Sequence, residues 1–314
     1  MTASESLLRD YYDYSFSKLL GIRFPAREVG SCPEGSFAEC LPNRIGAARA
    51  ASVARRLVEY ESTGSPFAKT SPLVAYLTET SAHGPRRVLD FGCGLGHIAT
   101  YLSIVLTPVE LLHGVDPDPL AAERWARLRH APSARHCDFL FSPTVGQVNA
   151  ASSSFDLAIA VHTFHHIASS RQRDALRALV RLLKPDALFY LYEDTWSEKN
   201  GPLESSLPVF DARFLALSTR ERRTLFAMND RWSNGWFRER ELEAEKGGYR
   251  SLEGWTGLLT SEGLTIDRSA AIGFDSRRLH GVPSGWCVAR KTGRMSKSQR
   301  ITGTGRRSLE LDSR

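Results

Sequence analysis

The sequence lacks the patterns that mark several specialised classes of protein. No stretch approaches the ~18 consecutive apolar residues of a membrane-spanning helix. The first residues contain no apolar signal-peptide core, and their acidic residues are untypical of a transit peptide. The five cysteines are odd in number and none forms a CxxC pair, so zinc and thioredoxin-like sites lack support. These absences predict a cytoplasmic protein with reduced thiols and no metal site.

Net positive charge is small outside the carboxyl terminus. The 314 residues carry a net charge of +6, of which the segment from Lys291 to Arg314 contributes +5. That segment is rich in Ser, Thr, Gly and Arg and poor in aromatic residues, so we interpret 292–314 as a disordered basic tail. The rest of the chain is nearly neutral, and we therefore expect no nucleic-acid partner.

Short apolar runs alternate with amphipathic helical stretches through the middle of the chain, which is typical of βαβ units and a parallel sheet. The predicted strands are 87–91, 111–116, 134–139, 155–161, 187–192, 264–272 and 286–289. The predicted helices between them are 96–106, 119–130, 171–183 and 252–262. The pattern thus predicts an α/β fold with a doubly wound, seven-stranded, mostly parallel sheet in a domain over 83–291.

Two regions lie outside this repeat. Residues 1–82 contain helical stretches at 7–20, 47–61 and 72–80, and we predict a helical N-terminal cap. Residues 196–250 are much longer than the usual connection of about 2–6 residues. We predict that they form a lid over the carboxyl ends of the strands, where open α/β sheets bind ligands. The aromatic residues of this lid, Trp232, Trp236 and Phe237, either line an acceptor pocket or pack the lid onto the domain.

A glycine-rich loop follows the first predicted strand. Gly92, Gly94 and Gly96 permit close approach of a ligand to the backbone, and the next helix begins with free N–H groups. A dinucleotide-binding loop would carry Gly or Ala where this chain has His97, so NAD fits poorly. Asp90, directly before the loop, would repel a pyrophosphate but suits a cofactor with an amino group and a sulfonium.

These segments resemble the motifs of class I S-adenosylmethionine-dependent methyltransferases. VLDFGCGLG is similar to the first motif of that family, and LLHGVDPDP, ARHCDF, SFDLAIAVHTFHHI and ALRALVRLLKPDALFYLYED are similar to its later strands. The resemblance implies a Rossmann-like methyltransferase fold with S-adenosylmethionine as the cofactor. It implies these cofactor-binding residues: Asp90, Gly92, Gly94, Gly96, Asp116, Pro117, Asp138, Phe139 and His162.

The resemblance also assigns roles to two acids. It places Asp116 on the ribose hydroxyls and Asp138 on the adenine amino group, and carboxylates are suitable acceptors for both. Either residue could instead cap a helix after its strand. The chain departs from the family after Pro185, where Asp186 and Ala187 replace a frequent pair of glycines. We expect this change to alter a turn rather than the chemistry.

Candidate catalytic residues follow the fourth and fifth predicted strands. In some O-methyltransferases of the family, the first histidine of a similar pair is the general base, which maps onto His165; His166 is the second candidate. These histidines could instead satisfy backbone groups at a strand-to-helix turn. Glu193 and Asp194 either grip a substrate, hold a histidine in one tautomer or cap a helix.

The sequence lacks the motifs of methyltransferases that act on several other classes of acceptor. The chain has His162, Thr163, Phe164 and His165 where nucleic-acid amino-methyltransferases carry an Asn- or Asp-Pro-Pro-aromatic motif. It also lacks the cysteine of RNA cytosine-C5 enzymes at that point and the paired glutamates of protein arginine enzymes. We therefore expect a small-molecule acceptor, methylated at oxygen or carbon, of aromatic, isoprenoid or polyketide-like type. The alternatives are a non-catalytic cofactor-binding regulatory or partner protein, or methylation of a protein or RNA.

Overall fold

A seven-stranded sheet lies at the centre of the computed structural model, which describes residues 2–21, 48, 51–52, 55, 65–80, 84–107, 109–128, 136–199, 202, 205–237, 248–275 and 282–292. The strands are β1 (Arg87–Phe91), β2 (Leu111–Val115), β3 (Asp138–Ser142), β4 (Phe155–Val161), β5 (Leu183–Asp194), β6 (Leu264–Ile272) and β7 (Ser284–Lys291). The described helices are α1 (Ala3–Leu20), α2 (Ser65–Thr80), α3 (His97–Val105), α4 (Pro119–Leu128), α5 (Ser169–Leu182), α6 (Pro208–Leu215), α7 (Thr219–Phe237) and α8 (Leu252–Ser261). The predicted α/β class and seven-stranded sheet are confirmed.

The order of the strands locates the crevice where a ligand would bind. Across the sheet the order is β3-β2-β1-β4-β5-β7-β6, and only β7 runs antiparallel to its neighbours. The chain moves from β1 outwards to β3 and then returns to place β4 on the other side of β1. This reversal opens a crevice at the carboxyl ends of β1 and β4, the position at which open α/β sheets bind ligands.

Helices cover both faces of the sheet because each presents an apolar stripe. On one face Leu176 of α5 and Trp255 of α8 pack in the core with residues of β4 and β5. On the other face Leu73 of α2, Leu102 of α3 and Trp125 of α4 pack with residues of β1 and β2. Burial of these faces supplies the hydrophobic stabilisation that the doubly wound arrangement needs.

The described parts of the predicted cap and lid pack against each other. Helices α1, α6 and α7 share a cluster of buried apolar side chains with Trp196, Phe274 and Val282. These three residues follow β5, follow β6 and precede β7, so the cluster lies at the carboxyl edge of the parallel strands. Tyr12 of α1 donates its buried hydroxyl to Asn229 Oδ1 of α7 at 2.8 Å, which joins the two regions by a polar contact as well.

Several predicted boundaries were wrong. Strand β3 begins at Asp138 rather than at 134, because its pairing with β2 sets Asp138 opposite Leu111. Helix α2 begins at Ser65, and Pro72 lies inside it rather than at its start. Pro185 does not end α5, which stops at Leu182; it lies within β5, whose pairing with β4 is irregular at this point. The predicted tail, 292–314, lies outside the described residues except for Thr292, and the predicted helix at 47–61 does so except for four residues.

Candidate active site

The glycine loop lies against the turn at 163–166, which follows β4 and is called the histidine turn below. Gly92 has a φ of +72°, which glycine adopts without strain, and a Cβ at this residue would overlap the side chain of Thr163. Thr163 in turn donates its hydroxyl to the carbonyl of Phe91 at 3.0 Å. Gly94 has a φ of +47°, but a Cβ there would meet no atom, so the loop is open on that side. The loop after β1 and the turn after β4 thus form one unit.

Asp90 brings an unsatisfied acceptor to this loop. The residue is 2% exposed, and its Oδ2 is buried without a hydrogen-bond partner among the described residues. Burial, and secondarily the charge of Asp116, raises the pKa of Asp90 from 3.8 to about 8. A buried acceptor of this kind costs free energy until a donor reaches it, so Asp90 suits a ligand with an amino or ammonium group.

Asp116 holds the glycine loop in place. It follows β2 directly, and its Oδ2 accepts the backbone N–H of Gly94 at 2.9 Å. Its Oδ1 accepts the N–H of Asp118, also at 2.9 Å. The resemblance also places the ribose hydroxyls on this carboxylate, and that placement stays a prediction. Pro117, which follows it, is exposed.

The structure places Asp138 and Phe139 away from the carboxyl edge of the sheet, which does not support the predictions that Asp138 accepts from the adenine amino group and that Phe139 binds the cofactor. Asp138 is the first residue of β3 and lies at the amino edge of the sheet, four residues from the carboxyl end of that strand. Phe139 is buried against Trp125, with ring centroids 5.6 Å apart. Ser142 ends β3 instead, where its carbonyl accepts the N–H of Asp116.

Glu193 organises the turn that follows β4. Its buried Oε1 accepts the backbone N–H groups of Thr163 and Phe164, at 2.9 and 2.6 Å. Its Oε2 lies 2.5 Å from Nδ1 of His165, which is itself 3% exposed. Of the roles predicted for Glu193, the geometry matches that of holding a histidine. One carboxylate at the end of β5 thus orients both the backbone and the side chain of the neighbouring turn.

The second ring nitrogen of His165 faces a carboxylate from residues 196–250, the predicted lid, which is called the insertion below. Asp230 of α7 places Oδ1 4.0 Å from Nε2 of His165 and Oδ2 3.4 Å from Nδ1 of His166. The ring of Tyr249 stacks on that of His165, with centroids 5.0 Å apart and planes at 13°. Burial alone would lower the pKa of His165, but the charge and hydrogen bond of Glu193, followed by Asp230, raise it to about 9.

His162 makes a separate pair with Asp194. Its Nδ1 lies 3.3 Å from Oδ1 of Asp194, and its backbone has a φ of +51°. Burial lowers the pKa of His162, against the opposing effect of Asp194. His162 therefore tends to be neutral, whereas His165 tends to be charged.

The third loop glycine, Gly96, precedes α3, and a Cβ there would overlap Leu128.

Sequence reasoning missed Asp230, Tyr249 and Gln172. Gln172 donates its side-chain N–H to the carbonyls of Phe164 and Gly248, both at 2.8 Å, and so fixes the histidine turn to the end of the insertion. All three contact the turn only through tertiary packing, and none lies in a recognised motif. The side chains of Trp232, Trp236 and Phe237 lie outside the described residues.

Comparison with known families gives this geometry its chemical context. Residues 89–189 match the family described as a methyltransferase domain. These residues therefore form a methyltransferase domain, which covers about a third of the chain. The motifs quoted above resemble those of class I S-adenosylmethionine-dependent methyltransferases, and that resemblance implies S-adenosylmethionine as the cofactor. The residues present fit it, because the unsatisfied Oδ2 of Asp90 suits its amino group and the open side of Gly94 leaves room beside the loop.

Solved structures of methyltransferases are similar to this chain at low identity. An S-adenosylmethionine-dependent methyltransferase from Aquifex aeolicus is 15% identical over 75% of this chain and 97% of its own, with a TM-score of 0.47. The Burkholderia thailandensis 1,6-didemethyltoxoflavin N1-methyltransferase, solved with 1,6-didemethyltoxoflavin and S-adenosylhomocysteine, is 18% identical over 78% and 90%, with a TM-score of 0.46. The mitomycin 7-O-methyltransferase is 14% identical over 85% and 66%, with a TM-score of 0.49. No curated protein matches the sequence. Among the described helices, none has the length and hydropathy needed to cross a membrane.

Proposed function

We propose that this methyltransferase methylates an oxygen or carbon atom of a small-molecule acceptor, of aromatic, isoprenoid or polyketide-like type. The observation that carries the proposal is the buried pair of His165 and Glu193 beside the glycine loop, with Nδ1 and Oε2 2.5 Å apart. Hydroxyl groups and acidic carbons must lose a proton when they are methylated, and a fixed imidazole is a suitable acceptor for that proton.

The cofactor supplies an electrophilic methyl group on a sulfonium, and the residues of the chain handle the acceptor. Two backbone N–H groups already bond to Glu193, so its carboxylate is a fixed acceptor for the Nδ1 proton of His165. The imidazole then presents the lone pair of Nε2 to an acceptor. Glu193 is a positioning residue in this scheme, and His165 is the group that takes the proton. Because the pKa of His165 is about 9, its neutral form becomes more populated as the pH rises above neutrality.

The surroundings of the turn favour an acceptor that is largely apolar. Tyr249 stacks on His165, and Phe226 packs on Tyr249 with ring centroids 5.4 Å apart. Trp196 packs on Phe226 in turn, at 5.9 Å. These three rings are 0–3% exposed, so they form a dry apolar wall beside His165, which suits an acceptor that is largely apolar. The role of His166 in this scheme is secondary, because it is more exposed and contacts Asp230 rather than Glu193.

The test is a screen with methyl-labelled S-adenosylmethionine against phenols, enolisable ketones, isoprenoid alcohols, total protein and RNA. We expect label in a small molecule, at oxygen or carbon. A His165→Asn variant keeps a donor for Glu193 but has no base, so its kcat should fall by about 10²–10⁴-fold with unchanged affinity for S-adenosylhomocysteine. His136→Asn is the matched control, since His136 is exposed beside the amino end of β3.

Three results would contradict the proposal. Label found only in protein or RNA would show that the acceptor is a macromolecule. Tight cofactor binding without turnover on any acceptor would favour the non-catalytic alternative. A His165→Asn variant with the full rate would show that the acceptor proton leaves by another route.

A further inference from the structure

Three side chains of types that bind metal ions lie together at the histidine turn, two from the turn itself and one from the insertion. His165 and His166 are adjacent in a single 3₁₀ turn, and Asp230 reaches them from α7. One ligand atom from each of the three lies within 4.8 Å of those of the other two. We propose that His165, His166 and Asp230 bind a divalent transition-metal ion such as Zn²⁺.

The distances are close to those of a coordinated set. A tetrahedral ion with bonds of about 2.0–2.1 Å separates its ligand atoms by about 3.4 Å. Nδ1 of His166 and Oδ2 of Asp230 are already 3.4 Å apart, and Nε2 of His165 is 4.0 Å from Oδ1 of Asp230. The ligand atoms of the three residues lie within 4.8 Å of one another, so each pair would have to approach by at most about 1.4 Å to complete the geometry. Three protein ligands leave the fourth position of the ion for water.

Glu193 supports this set from behind. Histidines that bind metals usually donate their other ring N–H to a carboxylate, which fixes the ring and strengthens the metal bond. Nδ1 of His165 lies 2.5 Å from Glu193 Oε2, so Nε2 is left for the ion.

A second possible set, His162, His165 and Glu193, is less suitable. Glu193 Oε1 accepts two backbone N–H groups, and Oε2 is taken by His165. Using Glu193 as a ligand would remove acceptors from buried donors, which costs free energy for each donor.

Charge and access also favour a cation here. The side chains of Glu193 and Asp230 are 0% and 12% exposed, so two carboxylates face the histidine pair from a mostly buried position. A divalent ion bound in place of the His165 proton would balance their charge. The side chain of His166 is 31% exposed and gives the ion an entry path.

This inference goes beyond the proposed function and has a consequence for it. Proton abstraction by His165 uses the lone pair of Nε2, and the ion would occupy that lone pair. Metal binding and general-base catalysis at this atom therefore exclude each other, so the ion should act as an inhibitor of methyl transfer. Nothing in the metal-binding test depends on the acceptor, so its outcome is independent of the outcome of the acceptor screen.

The experiment uses the full-length protein without an affinity tag, treated with a chelator and then dialysed. Zn²⁺ is titrated calorimetrically, and Co²⁺ is followed by its visible absorption. We expect one ion per chain at micromolar affinity or better, with at least tenfold weaker binding in Asp230→Asn and in His166→Asn. Glu193→Gln should weaken binding by about 10–100-fold, as outer-shell changes commonly do.

His162→Asn separates the two candidate sets, because it removes a member of the alternative set only. We expect it to leave Zn²⁺ affinity unchanged. Unchanged affinity for S-adenosylhomocysteine in Asp230→Asn would show that this variant is folded. Absence of binding by the wild type, binding that survives Asp230→Asn, or an equal loss in His162→Asn would each overturn the proposal.

Discussion

We expect Asp90 to lower the stability of the cofactor-free protein, because one oxygen of its buried carboxyl group has no partner in the described part of the chain until the cofactor binds. Its carboxyl group is buried, and Oδ2 has no partner among the described residues. The protonated form is therefore favoured in the folded state, and the pKa rises from 3.8 to about 8. Replacing Asp90 by Asn keeps the shape of the side chain and removes the group that ionises.

The magnitude follows from the shift in pKa. The folded state retains this proton over about four pH units in which the unfolded chain has lost it, so stability falls as the pH rises from about 4 to about 8. Each unit corresponds to about 1.36 kcal/mol. Above pH 8, ionised Asp90 should therefore lower the free energy of unfolding by an amount on the order of 5 kcal/mol. Near pH 4 the cost should be close to zero.

The assay is denaturant unfolding of the wild type and of Asp90→Asn at intervals from pH 5 to pH 9, without cofactor. The variant should gain stability relative to the wild type as the pH rises, with the gain levelling off above pH 8. Asp156→Asn is a control that should lose stability by a constant amount between pH 5 and pH 9, because Asp156 titrates below this range. Burial opposes ionisation of Asp156, but Lys184 and the N–H groups of Arg86 and Arg87 lower its pKa. Its ionised form is therefore stabilising above the unfolded pKa, and that stabilisation is lost as the pH falls.

Cofactor binding should lower the raised pKa of Asp90. A donor that reaches Oδ2 favours the ionised form, so binding of S-adenosylmethionine at pH 7 should release a proton. Calorimetry in two buffers of different ionisation enthalpy measures that release, and Asp90→Asn should abolish it and weaken binding. A stability difference between the two proteins that stays constant from pH 5 to pH 9 would refute the reasoning.

Three further predictions concern the loop, the histidine turn and the start of β5. Asp186 has a φ of +62°, so Asp186→Gly should raise the free energy of unfolding by up to about 1 kcal/mol in denaturant titrations, and a loss would contradict this. Gly92→Ala should lower the Tm and abolish S-adenosylhomocysteine binding, because its Cβ overlaps Thr163. Gly94→Ala should cost only about 1–2 kcal/mol of stability for its positive φ. Equal losses of stability in the two variants would count against the overlap. Glu193→Ala leaves two buried N–H groups without an acceptor and should cost at least ~3 kcal/mol, more than Glu193→Gln, and similar unfolding midpoints for the two variants would show otherwise.

Much of the architecture was predictable because it depends on neighbours in the chain. The strand 87–91, the glycine loop and the helix after it are contiguous, and their residue types each favour the observed conformation. The same holds for the strands 155–161 and 264–272, whose predicted bounds agree with the structure. Glu193 was a candidate because it ends a predicted strand beside the one that precedes the histidines.

The wrong predictions concern features that strand pairing or tertiary packing determines. The run DFLFS is a strand in either register, and only its pairing with β2 places Asp138 at the amino edge of the sheet. Pro72 reads as a helix start, yet α2 extends seven residues before it. Asp186 was expected to alter a turn, and its positive φ shows that it adopts the conformation that a glycine would take there without strain.

The sequence by itself determined the fold class and the glycine loop, because alternating apolar runs and closely spaced glycines act through local geometry, and its resemblance to a known family implied the cofactor. Only the tertiary structure decided what surrounds His165. Asp230 and Tyr249 lie 65 and 84 residues further along the chain, and they meet its ring because α7 and the end of the insertion pack over the carboxyl edge of the sheet. Such contacts depend on the packing of the whole chain, which no local pattern of residues records.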